Sequence, residues 1–413
     1  MRGLATTKKK NRNREPFLKR LFLPKKGYDP WILGSILVLM VFGTIMVTST
    51  QMASAIGKAS QLYVTIIKQL FFSILGWEVG IVMISRFFNY KRMRAIQGSL
   101  EIFYLLLLIA TALIGSDVNG SKAWIQIGSA ITLQPSEFGK PLLIAVLATS
   151  FSAYSQLPKE KQTFFHVFSW PLFQMFFSII FIGGLQKDFG SLIITLGIGI
   201  IGLLIIPYPP LRKVQRRLFW VVVGGITIVI VGVYFSESFI ELFSNVSLVQ
   251  HIATRIQNMR NPYLSIHDIG YQPANALYAI ADAGIFGRGL GNSVRKYGFL
   301  TQAESDYILS IVIEETGILG FGLIIACYGI LIWRFIHWAL KANRTADKVL
   351  LTCAASYFLL HFFINVGGVS MLIPMTGVPL LMISAGGSAL LSVCFCVGLT
   401  QSRISEIHHQ SSS

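Results

Sequence analysis

Charge is scarce in this chain, and negative charge scarcer still: 13% of 413 residues are charged, with 18 Asp and Glu against 35 Lys and Arg. That is too little charge to cover a soluble surface, and with 53% hydrophobic residues and a mean hydropathy of +0.63 it defines an integral membrane protein. Cysteine is nearly absent. Cys327, Cys353, Cys394 and Cys396 all fall in apolar runs and form no CxxC pair, which excludes a disulfide framework and a zinc site. No internal repeat is visible, against the inverted repeats of secondary transporters. Nor is a cleavable signal peptide expected, because the first 27 residues are polar and basic and the next apolar run is of span length. The net charge of +17 does not indicate nucleic acid, since the basic residues are scattered at the ends of apolar runs rather than gathered on one face.

What is present is a series of apolar runs. A helix needs about 20 mostly apolar residues to cross a bilayer. On that ruler the sequence predicts an all-α polytopic membrane protein of about ten transmembrane helices, near 31–50, 62–85, 96–115, 136–153, 165–184, 189–206, 218–235, 306–333, 349–367 and 379–400. With the N-terminus inside, 25 of the 35 Lys and Arg fall in cytoplasmic segments. The positive-inside rule then puts both termini in the cytoplasm. The expected division is a basic cytoplasmic tail over 1–30, drawn to anionic lipid, a membrane domain over 31–401 and a C-terminal tail over 402–413.

Three irregular segments converge on the extracellular face. The largest is the loop of about 236–305 between helices 7 and 8, long enough to expect a function of its own. Within it, residues 272–286 read as an amphipathic helix lying on the membrane. A second loop, 116–135, carries an Asn119–Gly120 turn and Trp124. The third, 367–379, is apolar yet broken by Gly and Pro, as a re-entrant segment would be.

Ionisable groups inside spans are functional candidates by default. Lys68 and Glu78 read as structural. Glu137 and Lys140, three residues apart, meet on one helix face, either as an internal salt bridge or facing a substrate. Glu314 and Glu315 read as structural groups at a helix break. Asp306 stands at the mouth of an apolar run, where a carboxylate is a common helix cap. The cations of the outer loops favour a second role for it. Lys122, Arg255, Arg260, Arg288, Arg295 and Lys296 would neutralise a pyrophosphate or other polyanion, although surface solvation explains any one of them alone. The glycines at 287, 289 and 291 resemble a phosphate loop, a weak sign without a preceding strand.

Several long motifs in order give the chain a specific resemblance to the SEDS family, which includes FtsW, RodA and SpoVE. They are NGSKAWIQIG at 119–128, QPSEFGK at 134–140, QKDFGS at 186–191, GYQPANALYAIADAGIFGRGLGNS at 270–293, ESDYILSIVIEETGILG at 304–320 and ISAGGSALLS at 383–392. The resemblance implies a peptidoglycan glycosyltransferase that polymerises lipid II at the outer face of the cytoplasmic membrane. Asp306 falls on the family's essential aspartate. Lys122, Trp124, Glu137, Lys140 and Arg255 fall on its substrate-binding positions, with Arg295 and Lys296 as further cations for the pyrophosphate. The GLGNSVRKYGFL wording is most like the FtsW branch, which serves septal synthesis in cell division, rather than the RodA branch of elongation. The implied partners are a class B penicillin-binding protein, a transpeptidase with one membrane span, and other divisome membrane proteins. A divalent cation, Mg or Mn, would share the pyrophosphate, but no carboxylate cluster demands one. The chain departs from the family pattern at Lys187, where a proline is usual, and at Ala385, where a tyrosine is. The rival readings are a lipid II flippase working through Glu137 and Lys140, and a septal scaffold without chemistry.

Overall fold

A computed structural model of the chain describes residues 22–411 apart from 55–58, 119, 129–130, 159–162, 207–208, 210–211 and 245–249. Most of the basic N-terminal segment, and Asn119 of the expected turn, lie outside these.

The protein is a helical bundle. Among the described residues eight helices are long and apolar enough to cross a membrane. They include α1 (Pro30–Ser54), α2 (Ala59–Leu75, continued through a π-helical stretch, Gly76–Met83, to Phe87), α3 (Tyr90–Ile114) and α5 (Phe164–Ser178, ending in a second π-helical stretch, Ile179–Leu185). The others are α7 (Arg212–Phe235), α11 (Ile308–Lys341), α12 (Thr345–Val369) and α13 (Gly387–Ser411). The two remaining expected spans are helical as well. These are α4 (Pro135–Tyr154), which carries Glu137 and Lys140, and the shorter α6 (Phe189–Ile205). The most enclosed helix is α13 and the least is α7.

Local chemistry sets the helix starts. Asp29 caps α1, its Oδ1 accepting from Trp31 N at 2.9 Å, with Pro30 in the first turn where its missing N–H costs nothing. Asp188 caps α6 in the same way, accepting from Ser191 N at 3.0 Å.

Three features differ from the sequence expectation. The segment between α3 and α4 is not irregular but a small antiparallel sheet, β1 (Ser116–Val118), β2 (Ser121–Ile127) and β3 (Ile131–Leu133), in the order β1-β2-β3. Its strands are too short for hydropathy to register. The last helix starts at Gly387 rather than near 379, because 379–386 are held as irregular backbone beside Asp306, Leu380 N donating to Ser384 Oγ at 2.9 Å. The same helix runs on to Ser411, through the residues expected to form a tail. Within the large loop lie α8 (Glu237–Ser244), α9 (Gln250–Arg260) and α10 (Tyr271–Ala281). The expected amphipathic helix is α10; it packs on α11, burying Pro273, Ala274, Ala276 and Ala279.

Candidate active site

The site lies at the bundle end where α3, α5 and α7 finish and α4, α6, α11 and α13 begin. Asp306 sits two residues before α11. It does not cap that helix: among the described residues its carboxylate takes no backbone hydrogen bond and no ion pair. Its main chain is held from three sides instead. Asn365 Nδ2 on α12 reaches Asp306 O at 3.4 Å and Val378 O at 2.8 Å. Ser384 Oγ donates to Ser305 O at 2.9 Å, and Ala385 N to Glu304 O at 2.8 Å. The last bond uses only backbone, so alanine serves at 385. The carboxylate itself faces Gly377, at φ 75°, where an added Cβ would lie 3.4 Å from Asp306 Oδ2.

The start of α6 completes this wall. Gly190 abuts Thr376 and Val378, bringing Asp188 to the same side as Asp306. Asp188 Oδ2 accepts from Gln134 Nε2 at 2.8 Å, and Gln134 N donates to Ser388 Oγ at 3.0 Å. Lys187, just before it, has φ 57°, a conformation closed to the proline of the family pattern. The sheet docks on this turn: Lys122 N donates to Gln186 O at 3.0 Å and Ser121 Oγ to the same oxygen at 2.9 Å. Lys122 and Trp124, two apart on β2, share one face, with Lys122 exposed and Trp124 half-buried.

Burial raises the Asp306 carboxyl above its ordinary pKa; the Ser305 hydroxyl and the charge of Arg255 pull it back, and the negative charge of Asp188 adds to the rise. Arg255, half-buried on α9, is thus the loop cation whose field reaches Asp306, and among the described residues it forms no ion pair. Its neighbour Arg260 is held by Glu237 at 2.5 Å and by Val233 O at 2.7 Å.

The other expected site residues lie apart from this group. Glu137 and Lys140 are fully buried and paired at 2.5 Å, with Lys140 Nζ also 3.3 Å from His361 Nε2. His361 Nδ1 lies 3.3 Å from Pro379 O, so this buried triad backs the wall beside Asp306 without opening onto it. Lys296 is fully buried, its ammonium 2.8 Å from Glu315 Oε1, 3.0 Å from Ser49 Oγ and 2.7 Å from Gly291 O. Arg295 donates to Asn275 Oδ1 at 2.8 Å and lies over the rings of Tyr278 and Phe299. These contacts explain the glycine-rich loop. It docks into a break in α11 at Gly317 (φ 66°, ψ −159°), where Arg288 N and Gly289 N donate to the carbonyls of Glu314 and Glu315 at 2.8 and 2.9 Å. The two carboxylates then accept from Gly291 N, Ser293 and Val294 N. The loop is a structural plug for the helix.

Reading the sequence missed Asp188, Gln134 and His361 as neighbours of the site. For Asp188 the signal was available in QKDFGS; for His361 it was a lone histidine in an apolar run. Among the described residues no three His, Cys, Asp or Glu side chains converge on a point that would hold a metal ion, and Asp188 is already engaged by Gln134 and Ser191.

These features define a polytopic helical membrane protein with an isolated, partly desolvated carboxylate at one membrane face. By sequence the chain belongs to the cell cycle protein family of FtsW, RodA and SpoVE, whose profile matches residues 30–412. It is 31% identical over 385 residues to the probable peptidoglycan glycosyltransferase FtsW of Bacillus subtilis strain 168, covering 91% of this chain and 90% of the relative. It is also 31% identical to the stage V sporulation protein E of that strain, covering 88% and 93%. In fold it is similar to a chain of a peptidoglycan synthase complex that coordinates polymerization and crosslinking (TM-score 0.66, 19% identity, 94% and 99% covered). The rod shape determining protein RodA of Thermus thermophilus is also similar (TM-score 0.59, 20% identity, 94% and 98% covered).

Proposed function

We propose that the protein is a peptidoglycan glycosyltransferase that polymerises lipid II, with Asp306 as general base. The observation that carries this reading is a carboxylate with no ion pair among the described residues, raised by burial and lying in the field of Arg255, in a chain of this family. The Asp306 carboxylate takes the proton from the 4-hydroxyl of the acceptor's GlcNAc. The freed oxygen pair bonds to the anomeric carbon of the donor's MurNAc with inversion, and the bond to undecaprenyl pyrophosphate breaks. A positioned base typically contributes about 100- to 10,000-fold. Lys122 and Arg255 offset the charge growing on the pyrophosphate, a term often larger still, and Trp124 offers its ring to a sugar face. Glu137 and Lys140 act through the wall they support, and Arg295 and Lys296 through the loop they fold.

The orientation that puts most Lys and Arg inside leaves both termini cytoplasmic and Asp306 outside. In this reading α4 and α6 cross the membrane together with the eight helices that are long and apolar enough by themselves. The relatives named FtsW favour a septal role, with a class B penicillin-binding protein as partner and other divisome proteins nearby. The flippase reading needs Glu137 and Lys140 to line an open path, whereas both are fully buried against each other.

Purified protein, with and without its transpeptidase, incubated with lipid II should give glycan polymer that vanishes in Asp306→Ala. No polymer with the partner bound, alongside vesicle transfer of labelled lipid II abolished by Lys140→Ala but not Asp306→Ala, would replace this reading with the flippase.

A further inference from the structure

Glu101 lies near the middle of α3, 1% exposed, and among the described residues neither of its carboxylate oxygens has a hydrogen-bond partner. A solitary buried carboxylate at membrane depth costs several kcal/mol unless something answers its charge. The helices around it answer with more oxygen. Parallel α3 and α5 meet at Gly98 against the ring of Trp170 and at Tyr104 beside Ser178, which places Glu101, between these two points, opposite the stretch of α5 that carries Gln174. Gln97, Glu101 and Tyr104 share one face of α3, and Gln174 and Ser178 one face of α5. The third wall is α4 at Gly139, where an added Cβ would lie 2.2 Å from the Tyr104 hydroxyl. Gln174 Nε2 donates to Gly139 O at 2.6 Å, which turns its Oε1 the other way. Like the Glu101 oxygens, Gln97 Oε1 and Gln174 Oε1 are buried with no partner among the described residues. The hydroxyls of Tyr104 and Ser178 face each other in the same seam. Lys140, next to Gly139, has its ammonium on Glu137 and His361.

An acceptor-rich pocket with a single negative charge suits a hard cation, which takes oxygen ligands. The single carboxylate, and the lack of any three converging His, Cys, Asp or Glu among the described residues, match one positive charge rather than two. We propose that this seam binds a dehydrated monovalent cation, sodium or potassium, held by Glu101 with the amide oxygens of Gln97 and Gln174. The ion ties α3 and α5 to α4 and touches none of the groups around Asp306 named above, and so acts on stability rather than on the chemistry.

The test is thermal unfolding of the purified full chain in sodium, potassium or choline chloride at equal ionic strength. Because an ion that binds only the folded state stabilises in proportion to the logarithm of its concentration, the wild-type Tm should climb with sodium or potassium and not with choline. The salt with the larger rise identifies the ion. The rise should vanish in Glu101→Gln and shrink in Gln97→Leu. Equal Tm in all three salts would overturn the proposal, as would a rise that survives Glu101→Gln. If salts make no difference and Glu101→Gln is as stable as wild type, the occupant is a proton. Should Glu101→Gln fail to fold, the salt series on wild type and Gln97→Leu still decides.

Discussion

Asp29 and Asp347 at one end of this bundle and Asp188 and Asp306 at the other are treated in opposite ways. At the end away from Asp306, Asp29 is paired with Arg334 at 2.5 Å and also accepts from Trp338, and Asp347 is paired with Arg403 at 2.7 Å and accepts from Tyr90 at 2.7 Å. Those pairs join the feet of α1, α3, α11, α12 and α13. At the other end Asp306 and Asp188 face the same space with no ion pair among the described residues. Carboxylates matched by arginine serve architecture. Those left unmatched await charge from outside, and their helices are held by neutral groups such as Asn365, Ser384 and Gln134.

The largest break in this contrast should come from Asp306→Asn. Polymer formation should fall by about 100- to 10,000-fold, with Tm unchanged, since among the described residues the side chain makes no ion pair and no backbone hydrogen bond. An unaltered rate would remove Asp306 from the chemistry. Asp347→Ala should do the reverse. Stripping one partner from a buried ion pair costs about 3–5 kcal/mol, so Tm and yield should drop while turnover per folded molecule holds.

A smaller effect is expected from pH. The Asp306 carboxyl must be deprotonated to act, so activity should rise with pH through its raised pKa, at a midpoint above the ordinary carboxylate value of about 3.9. Arg255 lowers that pKa, so Arg255→Gln should move the acid limb further up; a limb that stays put would separate Arg255 from Asp306. The mildest change is Gly377→Ala. A left-handed backbone costs a non-glycine residue about 1–2 kcal/mol, and the new methyl would touch Asp306 Oδ2. Activity should therefore fall further than the small loss of Tm accounts for.

Much of this was legible in the sequence because membrane helices announce themselves by length, and because Asp306, Glu314 and Glu315 stand out as carboxylates in apolar runs. The roles of the cations were not legible. Lys296 and Arg255 look alike in sequence, yet one is sealed against Glu315 and the other forms no ion pair among the described residues while its charge reaches Asp306, a difference made by pairings far apart along the chain. Nothing in the order of residues places His361 beside Lys140, or sets Glu101 opposite the stretch of α5 that carries Gln174. The small sheet was missed because its strands carry the polar residues that make a loop look irregular.

The plugged break at Gly317 has a consequence for how the molecule is aimed. Asp306 heads α11 and Arg334 anchors the far part of the same element, yet between them the rod is interrupted and its bend angle is set by residues 287–296 seated in the gap. The glycine loop therefore works as a mount: without touching the carboxylate, it seats the short segment that follows Asp306 at a fixed pitch to the rest of α11.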